Sequence, residues 1–343
     1  MKKVTLHNKK NKIQLLEDLK NENFARITFS FYKYIKIKKI KDVRDELFIE
    51  FNKMKILGRI YIAEEGINAQ ISVPENKIII FREYIKNNKL FKNIDIKNAV
   101  EEGLSFFKLI IKIKKEIVAF NISKKEYNMN IVGQHLNYKE FHDAISKDAT
   151  VIDMRNYYEG EVGKFENAII PDVDKSKDLL PEVKKILKGK EKEKILLYCT
   201  GGIRCEKASS YLIYHGFKDV NQLDGGIVKY ANDIKKNKIK SKFIGKNFVF
   251  DNRLGETITE DIISSCHQCS SPSNQHTNCS NKSCNILFIQ CSECNRKYKN
   301  CCSKKCLDFS SLPIDVQKRK FKSGKIKFSA QYSNDVKPKL LKN

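Results

Sequence analysis

No stretch of the 343 residues approaches the roughly 20 consecutive apolar side chains that a membrane-spanning helix needs, which excludes a transmembrane protein. The opening MKKVTLHNKKNKIQLLEDLK carries lysines but no continuous apolar run, so no secretory signal is read there. Cysteine is missing from the first 198 residues, which rules out a disulfide scaffold of the secreted kind. Tryptophan does not occur at all. These lacks predict a cytoplasmic protein with reduced thiols.

Arginine is scarce as well. With 9 arginines against 57 lysines, the formal charge of +25 is inflated by a chain-wide lysine bias, and its total says little about partners. Its distribution says more. Residues 1–132 hold 28 basic and 16 acidic side chains (net +12), residues 133–240 hold 20 and 17 (net +3), and residues 241–343 hold 18 and 8 (net +10). A near-neutral centre between two basic flanks suits a protein that grips a polyanion at its ends and does chemistry in the middle. The length favours two or three domains, and 41% hydrophobic residues suffice for packed cores.

Within 1–132, RITFSFYKY at 26–34 mixes aromatic and β-branched residues and predicts a strand. Val43, Leu47, Phe51 and Met54 recur at helical spacing before Gly58. RIYIA is a second strand, and NAQISV returns after Glu64-Glu65-Gly66 as its hairpin partner. Pro74 opens a helix with Ile78, Phe81 and Ile85 on its buried face, and SFFKLIIKI at 105–113 supplies a last strand. That order is the one of a ferredoxin-like α+β sandwich. Phe29, Phe31, Tyr32 and Tyr34 interleave with Lys33 and Lys36; aromatics on a strand offer stacking faces for bases, while Phe29 and Phe31 read as core.

A polar stretch at 121–135 reads as a linker. Over 133–240, helix and strand then alternate: YKEFHDAI, TVIDM, LLPEVKKIL, KILLY, CEKASSYLIYHG, DVNQL and IVKYANDIKK. Such alternation predicts an α/β domain whose parallel sheet is covered on both faces.

The sharpest segment is KILLYCTGGIRCE at 194–206. An apolar strand ends at Tyr198, Cys199 opens a loop of Thr200, Gly201, Gly202 and Ile203, and a helix begins at about Cys205. Ligands gather at the carboxyl ends of strands in such sheets. Glycines let backbone N–H groups converge on one centre, and the positive end of the next helix reinforces that nest. A thiol held there has a lowered pKa and reacts as the thiolate. Arg204 adds a planar charge for an oxyanion. Cys205 is either a resolving thiol or a packing residue. Asp153, Arg155 and Glu159 read as an ion-pair network that holds the loops, and His142 and His215 as helix-surface or core residues. No GxGxxG follows the first strand of a nucleotide fold, so no flavin or nicotinamide site is read. No two-His-one-carboxylate set occurs in this domain either.

CTGGIR resembles the active-site loop of rhodanese domains, a Cys, four residues and an Arg between strand and helix. Asp153-x-Arg155 followed by Glu159 and Gly163 resembles that family's DxR…E…G segment, and LDGGI at 223–227 resembles the turn before its last helix. FENA at 165–168 departs from the His-Ile-Pro-Gly-Ala stretch of many rhodaneses. The longer CTGGIRCEKAS, with GRIYIAEEGINAQISV at 58–73 and the cysteine-rich tail, resembles the rhodanese-like tRNA uridine hydroxylases over about residues 20–310. The resemblance implies a tRNA-modifying oxidoreductase of monooxygenase type. Such an enzyme converts wobble uridine (U34) to 5-hydroxyuridine with O2 as co-substrate, an electron donor the sequence does not specify, and tRNA held by its anticodon region. Cys199 is then the catalytic residue, with Arg204 and Thr200–Ile203 as its cradle. Glu65 and Asn68, in the EEGIN segment, become candidate substrate contacts. The residues by themselves reach only an activated thiol in an anion cradle. Persulfide sulfur transfer, to tRNA or to a small thiol acceptor, and a non-catalytic zinc and RNA-binding protein therefore stand as alternatives.

Between 241 and 316 the spacing is Cys266-x2-Cys269-x9-Cys279-x4-Cys284-x6-Cys291-x2-Cys294-x6-Cys301-Cys302-x3-Cys306. Two CxxC knuckles, each followed by two more thiols, predict a small module with two tetrahedral zinc sites. Four thiolates on one soft ion tie together a segment too polar to build its own core. Sequence order pairs Cys266, Cys269, Cys279 and Cys284 in one site and Cys291, Cys294, Cys302 and Cys306 in the other; a cross-brace would interleave them. Cys301 is the spare thiol when Cys302 ligates, and His267 and His276 are substitute ligands. LFIQ at 287–290 reads as a strand between the sites. Residues 317–343, rich in lysine, read as a flexible basic tail that tracks phosphates.

Overall fold

The computed structural model describes residues 6–8, 10–147, 149–173 and 175–323. After a short helix, Lys12–Lys20 (α1), strict alternation builds the first sheet. Arg26–Tyr34 (β1) sends Phe29 and Phe31 into the core and leaves Ser30, Tyr32 and Tyr34 on the opposite face. Ile40–Lys53 (α2) buries Leu47 and Phe51, Leu57–Ala63 (β2) and Gly66–Pro74 (β3) form the hairpin, and Ile78–Asn87 (α3) buries Phe81 and Ile85. Lys97–Asn98 (β4) and Leu109–Ile113 (β5) complete a sheet of order β4-β1-β3-β2-β5. Its first four positions are the ferredoxin-like order. The core lies between this sheet and the two helices, where Phe29 stacks on Phe81 at 5.8 Å and Phe51 meets Phe81 edge-on at 6.1 Å.

The edges differ from the sequence expectation. Of the run expected as the last strand, 105–113, only 109–113 is a strand, and it lies at the far edge, parallel to β2; two-residue β4 takes the place beside β1 that the last strand of a ferredoxin-like sandwich occupies. The chain leaving α3 already reaches β1 by residue 97. The apolar LIIKI run gains more beside β2, where Leu109 and Ile111 are covered by α2.

The stretch expected as a linker is anchored. Val118 and Phe120, just before it, are buried in the middle domain's core, and Ile122 within it packs against that core. The backbone N–H groups of Asn128 and Gly133 donate to the hydroxyls of Ser210 and Ser209 at 2.8 Å each.

The middle domain follows as Gln134–Leu136 (β6), Tyr138–Ile145 (α4), Thr150–Asp153 (β7), Tyr157–Gly160 (α5), Gly163–Phe165 (β8), Ser176–Ile186 (α6), Lys194–Tyr198 (β9), Ile203–Tyr214 (α7), Asp219–Leu223 (β10) and Gly226–Asn237 (α8). The parallel sheet has the order β6-β10-β9-β7. Both faces are covered: Ile195 and Leu197 pack with Leu179 and Leu212, and Leu196 and Tyr198 pack with Phe141 and Ile227. This places β9 in the interior of the sheet, with Cys199 at its carboxyl end.

β8 leaves that sheet to pair with Phe243–Asn247 (β11), which also carries Glu256–Thr257 (β12). The cysteine-rich segment contains His276–Asn278 (β13) and Leu287–Ile289 (β14) as a hairpin, then Ser292–Tyr298 (α9), Lys304–Ser310 (α10) and Ile314–Lys322 (α11). Residues 317–322, expected to start a flexible tail, belong to α11; residues 324–343 of that tail lie outside the described residues. Among the described residues no helix is long and apolar enough to cross a membrane.

Candidate active site and metal centres

Cys199 is fully buried where β9 gives way to the loop, and the Gly202 N–H donates to its Sγ at 3.1 Å. Gly202 has φ +97°, a backbone state that glycine takes without strain, and a Cβ there would lie 2.8 Å from the Tyr32 hydroxyl. Gly226, with φ +67°, supports the loop from below; a Cβ there would fall 2.5 Å from the Cys199 carbonyl oxygen. The N–H groups of Ile227 and Val228 donate to the carbonyls of Cys199 and Thr200 at 3.0 and 3.1 Å. The loop's carbonyls are thereby held by α8 while an N–H group faces the thiol. α7 starts at Ile203, earlier than expected, so Arg204 and Cys205 both lie in its first turn.

Burial by itself pushes the Cys199 thiol up. The hydrogen bond from the Cys205 thiol, the Arg204 charge and the backbone N–H groups of Arg204 and Cys205 outweigh it and bring the pKa down to about 5. Cys205 is held well above its usual value, by burial first and then by its bond to Cys199. At neutral pH the pair is therefore a thiolate and a neutral donor.

Arg204 does not present a free fork. Its Nη1 and Nη2 donate to the two oxygens of buried Glu159 at 2.6 and 2.9 Å, and Nη2 also reaches Thr200 Oγ1 at 3.2 Å. What reaches the thiolate is its fixed charge. A second buried pair lies beside it: Arg155 Nε and Nη2 donate to Asp153 at 2.9 and 2.7 Å, Nη2 also to the Gly163 carbonyl at 2.6 Å, and the Tyr198 hydroxyl to Asp153 at 2.8 Å. This network fastens β7, β9 and the loop between them. His142 shares a hydrogen bond with the Tyr230 hydroxyl at 2.7 Å, and His215 lies 3.5 Å from Glu126, both away from the thiol's contacts.

The N-terminal sheet docks on α7. Tyr32 and Tyr34 hydroxyls donate to Glu206 Oε1 at 3.0 Å and to the Ile203 carbonyl at 3.1 Å. Lys207, fully buried, donates to Glu65 at 2.8 Å and to Glu116 at 3.2 Å. Glu65, read from sequence as a substrate contact, is thus engaged in domain docking. Asn68 does face the open space. That space is a cavity of about 760 Å³ bounded by all three folded segments: Asn68 and Tyr61 from the first, Cys199 and Thr200 from the second, Phe248 and Phe250 from the third. Arg59, Tyr61 and Lys97 were not singled out from sequence. The alternation of RIYIA was the signal available, since it puts Arg59 and Tyr61 on the face opposite core residues Ile60 and Ile62.

Eight of the nine tail cysteines form two groups, each with its four sulfurs within 4.8 Å of one another. The groups are Cys266, Cys269, Cys291 and Cys294, and Cys279, Cys284, Cys302 and Cys306. The pairing is the interleaved one; sequence order fails because the β13–β14 hairpin brings the first knuckle beside the second. The sulfurs of Cys269 and Cys291 are 3.5 Å apart, and those of Cys284 and Cys302 are 3.7 Å apart. Four thiolates on a tetrahedral ion at about 2.3 Å would stand about 3.8 Å from one another, so the donor sets fit such an ion. Cys301 is outside both groups, buried beside the Ser310 hydroxyl. The histidines are not part of either group: His267 pairs with Glu161 at 2.8 Å, and His276 packs against Phe248 at 4.9 Å.

Three family models match the chain in succession. Residues 26–117 match the family described as UPF0176 acylphosphatase like domain, 137–233 the rhodanese-like domain, and 244–307 the rhodanase C-terminal domain. A protein of Leptospira interrogans named tRNA uridine(34) hydroxylase is 45% identical over 99% of this chain and 93% of its own length. One of the same name from Enterobacter sp. is 43% identical over 92% of this chain and 91% of its own. Among solved structures, a rhodanese-like domain from Anabaena sp aligns with 34% of this chain and 80% of its own, at 16% identity and a TM-score of 0.26.

Proposed function

The chain belongs to the family of tRNA uridine(34) hydroxylases, and we propose that it hydroxylates the wobble uridine of tRNA at C5, with Cys199 as the reacting side chain and O2 as the source of oxygen. One observation carries the assignment of Cys199. A thiol brought down to about 5 lines a cavity walled by three domains, and the cavity's volume lies within the range of about 300–1,000 Å³ usual for ligand sites.

The chemistry follows from that thiolate. The C5=C6 bond of uracil is polarised by the C4 carbonyl, so a thiolate adds at C6 and leaves the displaced electron pair on C5. That pair forms the C–O bond to O2, the donor's two electrons with protons break the O–O bond to leave a C5 hydroxyl and water, and loss of the C5 proton with expulsion of the thiolate restores the ring. Overall, O2, two electrons and two protons give one hydroxyl on the base and one water, the electrons coming from an external donor. The charge of Arg204, the cradle N–H groups and the Cys205 thiol keep Cys199 ionised throughout the neutral range. The basic flanks hold the RNA backbone, and the reduced thiols suit the cytoplasm. Zinc is the ion proposed for the two thiol groups; with four thiolates each it has no open coordination position and acts by tying residues 266–306 together.

Reaction with unmodified tRNA under isotopically heavy O2, with nucleoside mass spectrometry, tests this reading. The heavy atom is expected in 5-hydroxyuridine, with no product when oxygen is removed. A thiolated nucleoside formed under strict anaerobiosis would replace it with persulfide sulfur transfer.

A further inference from the structure

The sheet face turned to the cavity carries a pattern that the reactive loop does not require. β3 is the middle strand, and its residues Ile67, Ala69 and Ile71 enter the core, so Asn68 and Gln70 point the other way. The antiparallel registers set Tyr32 of β1 and Tyr61 of β2 directly opposite Asn68, and Arg59 of β2 directly opposite Gln70. All five line the same cavity as Cys199.

The two amides are oriented by a relay. Asn68 Nδ2 donates to the Ile117 carbonyl at 3.4 Å, and Gln70 Nε2 donates to Asn68 Oδ1 at 2.7 Å. A backbone carbonyl can only accept, which fixes the direction of both amides and settles which end of Gln70 faces outward. Its Oε1 accepts no hydrogen bond among the described residues. The cavity therefore presents a fixed acceptor.

The spacing around it suits a planar base. Neighbouring strands stand ~4.8 Å apart, so the backbones bearing Tyr32 and Tyr61, two strands apart, are separated by about 9.6 Å. A ring held between two others needs about 3.5–4 Å on each side. Uracil carries a proton on N3, whereas cytosine carries a lone pair there. An outward acceptor with fixed direction therefore pairs with the first and repels the second. N3 lies directly across the ring from C6, so gripping N3 leaves the C5–C6 edge facing away from β3.

We propose that Gln70, held in one orientation by Asn68, is the residue that selects uracil at this site, with the base between Tyr32 and Tyr61 and its C5–C6 edge toward Cys199. The proposal rests on the reading of the chain as a uridine-modifying enzyme and adds how the base is chosen.

The test uses the full chain with Cys199→Ser, so that no turnover occurs, and measures by fluorescence anisotropy its binding to anticodon stem-loop RNAs that differ only in U34 or C34. The parent should favour U34 by about tenfold or more. Gln70→Ala should bring that ratio close to one. Asn68→Leu should also bring it close to one although Gln70 is still present, because the freed amide can turn and donate its Nε2 hydrogen to cytosine N3. A parent that binds U34 and C34 equally, or a ratio unchanged in both variants, would overturn the role of Gln70. Failure of the parent to bind either RNA would instead overturn the reading of the chain as an RNA-modifying enzyme.

Discussion

Lys207, one turn into α7, is fully buried and places its ammonium 2.8 Å from a carboxylate oxygen of Glu65, a residue 142 positions earlier in a different domain. The pair fixes the N-terminal sheet against the helix that carries Arg204 and Cys205. Its partner at 3.2 Å, Glu116, supplies a second carboxylate to the same ammonium.

Removing one partner of a buried pair leaves the other charge uncompensated. Glu65→Ala is expected to cost about 3 kcal/mol, the low end for such breaks because Glu116 remains. Adding Lys207→Met should recover part of that loss, since the fully buried ammonium is then gone and the carboxylate left without it, Glu116, is partly open to water. Urea unfolding of the two variants checks it; a double variant no more stable than Glu65→Ala would contradict the account.

The thiolate makes a prediction about pH. Cys199 is ionised above about 5, so its alkylation by iodoacetamide, followed by peptide mass spectrometry, should rise through that pH and stay flat from 6 to 8. Cys205→Ala removes the neutral donor and should move the midpoint upward by about one unit or more. A midpoint near 8.5, the ordinary thiol value, in the unmodified protein would refute the cradle.

Arg204→Lys keeps the charge but breaks the two-pronged bond to Glu159. Turnover is expected to fall about tenfold or more with RNA binding preserved, because an ammonium cannot hold both carboxylate oxygens and Thr200 in one plane. Unchanged kcat would remove Arg204 from the machinery.

The thiol groups predict two equivalents of zinc per chain and a definite pairing. Cys266→Ser with Cys291→Ser disrupts a single group and should leave one ion, whereas Cys266→Ser with Cys279→Ser disrupts both. Metal analysis of the two double variants gives the opposite result if the sites follow sequence order.

The reactive loop was legible in the sequence because everything that builds it is contiguous: the apolar KILLY strand, the glycines and the arginine on the next helix. The ferredoxin-like core was legible for a similar reason, since strand and helix periods differ. What stayed hidden depends on contacts between distant segments. Neither the 207–65 pair nor the engagement of Arg204 by Glu159 leaves a local trace, and each turns a residue read as facing substrate into one that holds the scaffold. Likewise, cysteine spacing announced two metal sites but left their interleaving to the hairpin. Of the run at 105–113 the strand pattern holds for 109–113, yet no local pattern tells a strand which edge it will join.

The central claim is that Cys199 changes the base. The most direct test is nucleoside mass spectrometry of tRNA from cells whose own copy of the protein is replaced by Cys199→Ala, with RNA binding measured on the same variant. 5-Hydroxyuridine at the wobble position is expected to disappear while tRNA is still bound. Full modification by the Cys199→Ala protein would contradict it.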